Sequence, residues 1–153
     1  MIDIEKIKII ADQIVEIYRA QLDEKNINAS GKLRDTVETV VEIRGNKIVI
    51  SLNLQDYWKF VEEGRPPGGY PPPNLIENWV KIKPVIPDAR SGKIPSDRQL
   101  VYLISRKIAT KGYEGRFPLK TTLEDPKMNN IIQDIKNEIV TQINQYLLGE
   151  QKI

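Results

Sequence analysis

Neither cysteine nor histidine occurs in this 153-residue sequence. Without cysteine there are no disulfides and no thiolate metal sites, and the reducing interior of a cell is the expected setting. Without histidine the commonest general base and the commonest metal ligand are both gone. A dominant charge is missing as well. Lysine and arginine total 23 against 21 acidic residues, and the resulting net charge of +2 is too small an excess to argue for nucleic acid by itself. Nowhere do 18 apolar residues run together, and the opening MIDIEKIKIIADQIVEIYRAQ has no continuous apolar stretch. Neither a membrane span nor export by a signal peptide is expected, which leaves the sequon Asn28-Ala29-Ser30 without expected meaning.

What is present is ordinary globular material: 29% charged and 40% hydrophobic residues. A chain of this length fits a single domain, residues 1–153, that buries roughly 68–70% of its unfolded surface. The spacing predicts a first helix over about residues 3–23, with Ile7, Ile10, Ala11, Ile14, Ile17, Tyr18 and Leu22 on one stripe. Ser30 is placed to cap a short helical turn through Leu33 and Arg34. Strict alternation follows in Val37, Thr39, Val41 and Ile43, then in Ile48, Ile50, Leu52 and Leu54 across Gly45-Asn46. That pattern is a β-hairpin over about residues 37–54.

Five of the ten prolines fall within YWKFVEEGRPPGGYPPP, residues 57–73, beside Tyr57, Trp58, Phe60 and Tyr70. Proline fixes its own φ and restricts its predecessor, so residues 64–73 read as a stiff extended loop held down by aromatics. Asn74 and Glu77 form a capping-box-like start for a short helix that Pro84 stops. A second proline-rich loop spans residues 83–95. Ser96 with Gln99 opens the next helix, whose stripe is Leu100, Val101, Ile104 and Ile108 and which ends before Gly112. Asp125 and Pro126 start the last helix, Met128, Ile131, Ile132, Ile135, Ile139, Ile143 and Leu147 carry it, and Gly149 is expected to close it. A lone hairpin is marginal in water. Residues 57–62 and 117–123 are the candidates for one or two further strands, which makes the expected fold α+β, a small antiparallel sheet packed against long N- and C-terminal helices.

The search for chemistry is mostly negative. Gly31-Lys32 and Gly92-Lys93 are followed by Leu33 and Ile94, where a phosphate-binding loop needs serine or threonine. Pro87-Asp88 with Glu150-Gln151-Lys152 mimics a metal-nuclease pattern, but the second half lies on the last residues. Glu62 and Glu63 could serve as acid and base or hold Mg²⁺, yet adjacent side chains diverge on a strand or a helix. No catalytic residue, metal or cofactor is therefore expected. The stretch Arg106, Lys107, Lys111, Arg116 and Lys120, against the single Glu114, offers a phosphate-contacting surface and thus an alternative function as a small nucleic-acid-binding module. The plainer reading is that Arg106, Lys107 and Lys111 complement the negative end of their helix. For Trp58 and Phe60 the plainer reading is a place in the core.

The order of segments resembles the minor tail, neck or tail-completion proteins of double-stranded DNA bacteriophages. The Ser/Thr-Gly-x-Leu-Arg turn after the first helix is matched by Ser30, Gly31, Leu33 and Arg34. The aromatic-x-x-aromatic-Val-Glu-x-Gly motif after the hairpin is matched by Tyr57, Phe60, Val61, Glu62 and Gly64. A basic, proline-containing stretch before the last helix is matched by Arg116, Phe117, Pro118 and Leu119. The chain departs from the pattern at Arg65, where many relatives carry threonine, in its proline-rich loop, and at Phe117-Pro118, which inverts the usual order.

The resemblance implies a structural, non-enzymatic virion protein, made in the cytoplasm of a bacterial host. Its implied partners are copies of itself in an oligomeric ring and neighbouring portal, neck or tail proteins, with passive contact to DNA in the ring lumen and no membrane. Loops and sheet edges make such rings. The expected contact residues are Tyr57, Trp58, Phe60, Glu62, Gly64, Arg65, Pro66, Pro67, Tyr70 and Pro72.

Overall fold

The computed structural model describes residues 1–27, 31–82 and 92–150. In chain order the elements are α1 (Ile4–Glu24), α2 (Lys32–Thr36), β1 (Glu38–Arg44), β2 (Lys47–Asn53), α3 (Trp58–Glu63), β3 (Gly64–Arg65), α4 (Pro73–Ile82), α5 (Asp97–Lys111), β4 (Tyr113–Glu114), α6 (Pro118–Leu123) and α7 (Lys127–Glu150). The class is α+β, with long first and last helices and a small antiparallel hairpin sheet. No helix among the described residues is long and apolar enough to cross a membrane.

Helix α1 organises two cores. Asp3 caps its start by accepting the Glu5 N–H at 3.1 Å, and Lys8 and Asp12 form an i,i+4 ion pair on its surface. Ile7, Ala11, Ile14 and Ile17 pack against Met128, Ile131 and Ile135 of α7, with Val41, Ile48, Ile50 and Leu52 of the hairpin closing the cluster. Farther along, Val15, Tyr18 and Leu22 meet Leu33 and Val37, flanked by Trp58, Val61 and Leu119. Removing a fully buried Ile7 or Leu22 side chain to Ala would cost roughly 2–5 kcal/mol at such sites.

The hairpin pairs as its alternation requires, Thr39 opposite Leu52, Val41 opposite Ile50 and Ile43 opposite Ile48, around a two-residue Gly45-Asn46 turn with Gly45 at φ +62°. Thr39 is buried and its hydroxyl donates to the Asp12 carboxylate, which ties the strand to α1.

Four expectations are corrected. Residues 57–62 and 117–123 are not strands: they form the short helices α3 and α6, and only the two-residue β3 and β4 pair in their vicinity. Six-residue segments carry too little period to separate the two states, and a cap 57 residues away in sequence decides for α6. Helix α4 begins at Pro73 rather than at Asn74, because proline's fixed φ and missing N–H suit the first helical position; the extended loop is correspondingly shorter. Helix α7 runs through Gly149 to Glu150, so this glycine does not close it. Ile132, Ile143 and Leu147, counted among the residues that carry α7, are exposed because they lie on a stripe about 110° around the helix from Met128, Ile131 and Ile135, the face packed on α1. Ser30, Pro84, Pro87, Asp88 and most of the 83–95 loop lie outside the described residues.

The Ser96–Gln99 capping box is present in both directions, and Gly112 ends α5 at φ +65°. Asp125 accepts the Lys127 N–H at 2.8 Å at the start of α7.

Candidate functional site

Most of the motif residues build the fold. Gly31 sits at the N-cap of α2 with φ +77°, and Leu33 is buried in the second core. Arg34 donates from Nε to both Asp23 carboxylate oxygens at 3.0 and 3.2 Å while its carbonyl accepts from Arg19 Nε, so the turn is clamped onto α1. The Asp23 carboxylate holds the Arg34 guanidinium charged even more firmly than usual.

Glu62 is buried, and its carboxylate accepts the Leu119 N–H at 2.8 Å and the Lys120 N–H at 2.9 Å. It therefore caps α6, whose first residue Pro118 has no N–H to satisfy. Phe117, in the left-handed region at φ +50°, delivers the chain into that helix. Tyr18 lies beside this carboxylate. Burial first, then the Glu62 charge, pushes its phenol up to about 12.

At Gly64 and Gly112 a backbone crossing demands glycine. Both have positive φ, and an added Cβ would lie 2.2 Å from the Tyr113 carbonyl oxygen at Gly64 and 2.1 Å from that of Arg65 at Gly112. Gly115 has equally little room, 2.0 Å from the Glu62 carbonyl oxygen. Here β3 and β4 pair, Gly64 opposite Glu114 and Arg65 opposite Tyr113. Gly115 was not singled out in the sequence; the signal was the pair of glycines flanking Tyr113-Glu114.

The remaining sequence-derived contact residues lie outward. Tyr57, Phe60, Pro66, Pro67, Tyr70 and Pro72 are exposed, Arg65 is half-buried and donates to the Gly69 carbonyl at 3.0 Å, and Trp58 packs partly into the second core with Lys59 6.0 Å from its ring centre. Glu62 and Gly64 are turned into the fold. The basic residues do not converge as one set. Arg106, Lys107 and Lys111 are exposed on α5, whereas Arg116 donates to the Lys25 carbonyl at 2.8 Å beyond the end of α1. Lys120 is exposed on α6.

Apolar side chains left uncovered gather in two places that sequence reasoning did not assign to a surface. One is α4 and α5, where Leu75, Trp79, Ile82, Tyr102 and Leu103 are exposed; the other is α7, where Ile132, Val140, Ile143 and Leu147 are. An open groove of about 440 Å³ lies between β2 and α6, lined by Ile50, Leu52, Leu54, Trp58 and Leu123 and offering no ionisable group. Among the described residues no cluster of three acidic side chains is arranged to hold a metal ion. No family model, curated protein or solved structure matches the chain.

Proposed function

We propose that this chain is a structural assembly subunit, one copy in an oligomeric ring at the head–tail junction of a double-stranded DNA bacteriophage, acting as a neck or tail-completion protein and not as an enzyme. One observation carries the assembly part: two of the uncovered apolar surfaces, the Ile143–Leu147 end of α7 and the α4–α5 pair, belong to opposite ends of α1. Gln142 of α7 is hydrogen-bonded to Asp3 at its start, so the exposed Ile143 and Leu147 lie past that end. Arg116, two residues beyond β4, is bonded to Lys25 at its finish, where the stem of α4 and α5 is rooted. A helix of 21 residues separates them by about 30 Å.

Two unlike sticky patches on opposite ends favour head-to-tail association, and head-to-tail association with a closing rotation makes a ring. Among the described residues no further strand pairs with either edge of the hairpin, and these edges offer further contacts. The phage assignment rests on the order of the Gly31-x-Leu33-Arg34, Tyr57-to-Gly64 and Arg116-to-Leu119 motifs. Neighbouring portal, neck or tail proteins are the partners beyond the ring itself, and the place of action is the virion. The nucleic-acid alternative is weaker, because Arg116 is committed to α1 and the basic set is divided between two elements.

Native mass spectrometry of the purified protein, together with proteomics and imaging of purified virions, tests the proposal. A closed oligomer and stoichiometric presence in the particle are expected. A monomer at all accessible concentrations and absence from the particle would reject it.

A further inference from the structure

The chain leaves the body at β3 and returns at β4, and these two segments pair with each other. Residues 66–82 and 92–112 thus form an arm on a two-stranded stem. Within it α4 and α5 pack chiefly on one another, and the Gly68 N–H donates to the Ala109 carbonyl at 2.9 Å to tie the loop to α5. This arm buries little of its own apolar surface. Leu75, Trp79 and Ile82, at i, i+4 and i+7, line one face of α4 and are 57%, 39% and 48% exposed. Such a face on so small a unit calls for cover.

The charges of arm and body are opposed. Residues 66–112 hold eight basic and three acidic residues, net +5, and the rest of the chain holds fifteen basic and eighteen acidic, net −3. The body also has a matching apolar stripe. At about 100° per residue, Ile132, Val140, Ile143 and Leu147 fall within roughly 80° of one another on α7. That stripe lies about 110° around the helix from Met128, Ile131 and Ile135, the face given to α1. In its own molecule the arm leaves this stripe uncovered, Ile132, Val140, Ile143 and Leu147 all being exposed.

We infer that the arm of one copy docks on α7 of the next, with Leu75, Trp79 and Ile82 seated against Ile132, Val140, Ile143 and Leu147. The inference rests on the ring reading and specifies its contact. Opposite net charges steer arm to body and disfavour arm-to-arm and body-to-body encounters, so the contact runs in one direction around the ring.

A chain without cysteine allows a clean test. Leu75→Cys and Ile143→Cys are placed in separate, differently tagged preparations, mixed and oxidised, with Leu75→Cys and Lys47→Cys as the control pair. Disulfide-linked dimers carrying both tags should form at least tenfold faster in the first mixture. Trp79→Asp and Ile143→Asp, each at an exposed position and each expected to keep the wild-type circular dichroism and melting, should each raise the concentration for half-assembly at least tenfold. If the wild type assembles while both Asp variants assemble equally well and cross-linking runs at the control rate, the arm contact is wrong and the ring reading survives. If the wild type never assembles, the ring reading itself has failed.

Discussion

The Glu62 carboxylate caps α6 by accepting the N–H of Leu119 at 2.8 Å, a bond that joins residues 57 apart in sequence. A second acceptance from Lys120 makes it a two-pronged, charge-assisted cap at a helix N-terminus, in a buried setting where water cannot substitute. Glu62→Ala leaves two N–H groups without an acceptor and should cost about 2–3 kcal/mol; Glu62→Gln keeps one acceptor and should cost about half of that. Urea unfolding of the two variants measures both values.

At the β3–β4 crossing the forecast is steeper. Gly64→Ala and Gly112→Ala each combine a positive φ with a Cβ driven into backbone atoms that cannot rotate away, and each should cost about 3 kcal/mol or more. Gly149→Ala meets nothing within 4 Å in a helical position, and should stabilise by up to about 1 kcal/mol. Thermal melting of the three variants orders them, and equal melting points would refute the crossing's role.

These sites show where the sequence could be read and where it could not. The hairpin was legible because its alternation is local and its Gly45-Asn46 turn is local; so were the caps at Ser96 and Asp125. Helices α3 and α6 were not, since their identity depends on Glu62 reaching Leu119 and on Gly64 meeting Gly115 across the fold. Periodicity revealed that α7 is a helix, but it merged two stripes about 110° apart into one. Which stripe α1 covers is a tertiary fact, and the uncovered one is the candidate site.

Tyr18 gives a prediction in alkali. Its folded-state phenol is raised from the usual 10 to about 12, by burial and by the Glu62 charge, so the folded protein holds that proton more tightly than the unfolded chain. The associated stability is intact below pH 10 and is lost as pH climbs from there to about 12, by on the order of 2 kcal/mol. Tyr18→Phe removes the titration. The stability gap between wild type and Tyr18→Phe should therefore shift in favour of the variant over that interval, and absorbance near the phenolate band should show that the variant has lost one late-ionising tyrosine.

Gln142 offers a charge test at the end of α1 nearest the uncovered stripe. Its side-chain oxygen accepts the Asp3 N–H, and its amide nitrogen donates to the Asp3 carbonyl at 3.3 Å and to Glu138 Oε1 at 2.8 Å. Gln142→Glu keeps the acceptor but turns the donor into a carboxylate facing Glu138, so attraction becomes repulsion at neutral pH. The loss should be about 1–2 kcal/mol. The introduced carboxyl would be raised in the folded state by its neighbour, which makes the deficit largest at neutral pH and smaller as pH falls through the carboxylate range. Gln142→Leu removes the same hydrogen bonds without adding charge, and its deficit should stay level with pH. Parallel pH profiles for the two variants would mean that shape at this junction, and not charge, holds α7 to the start of α1.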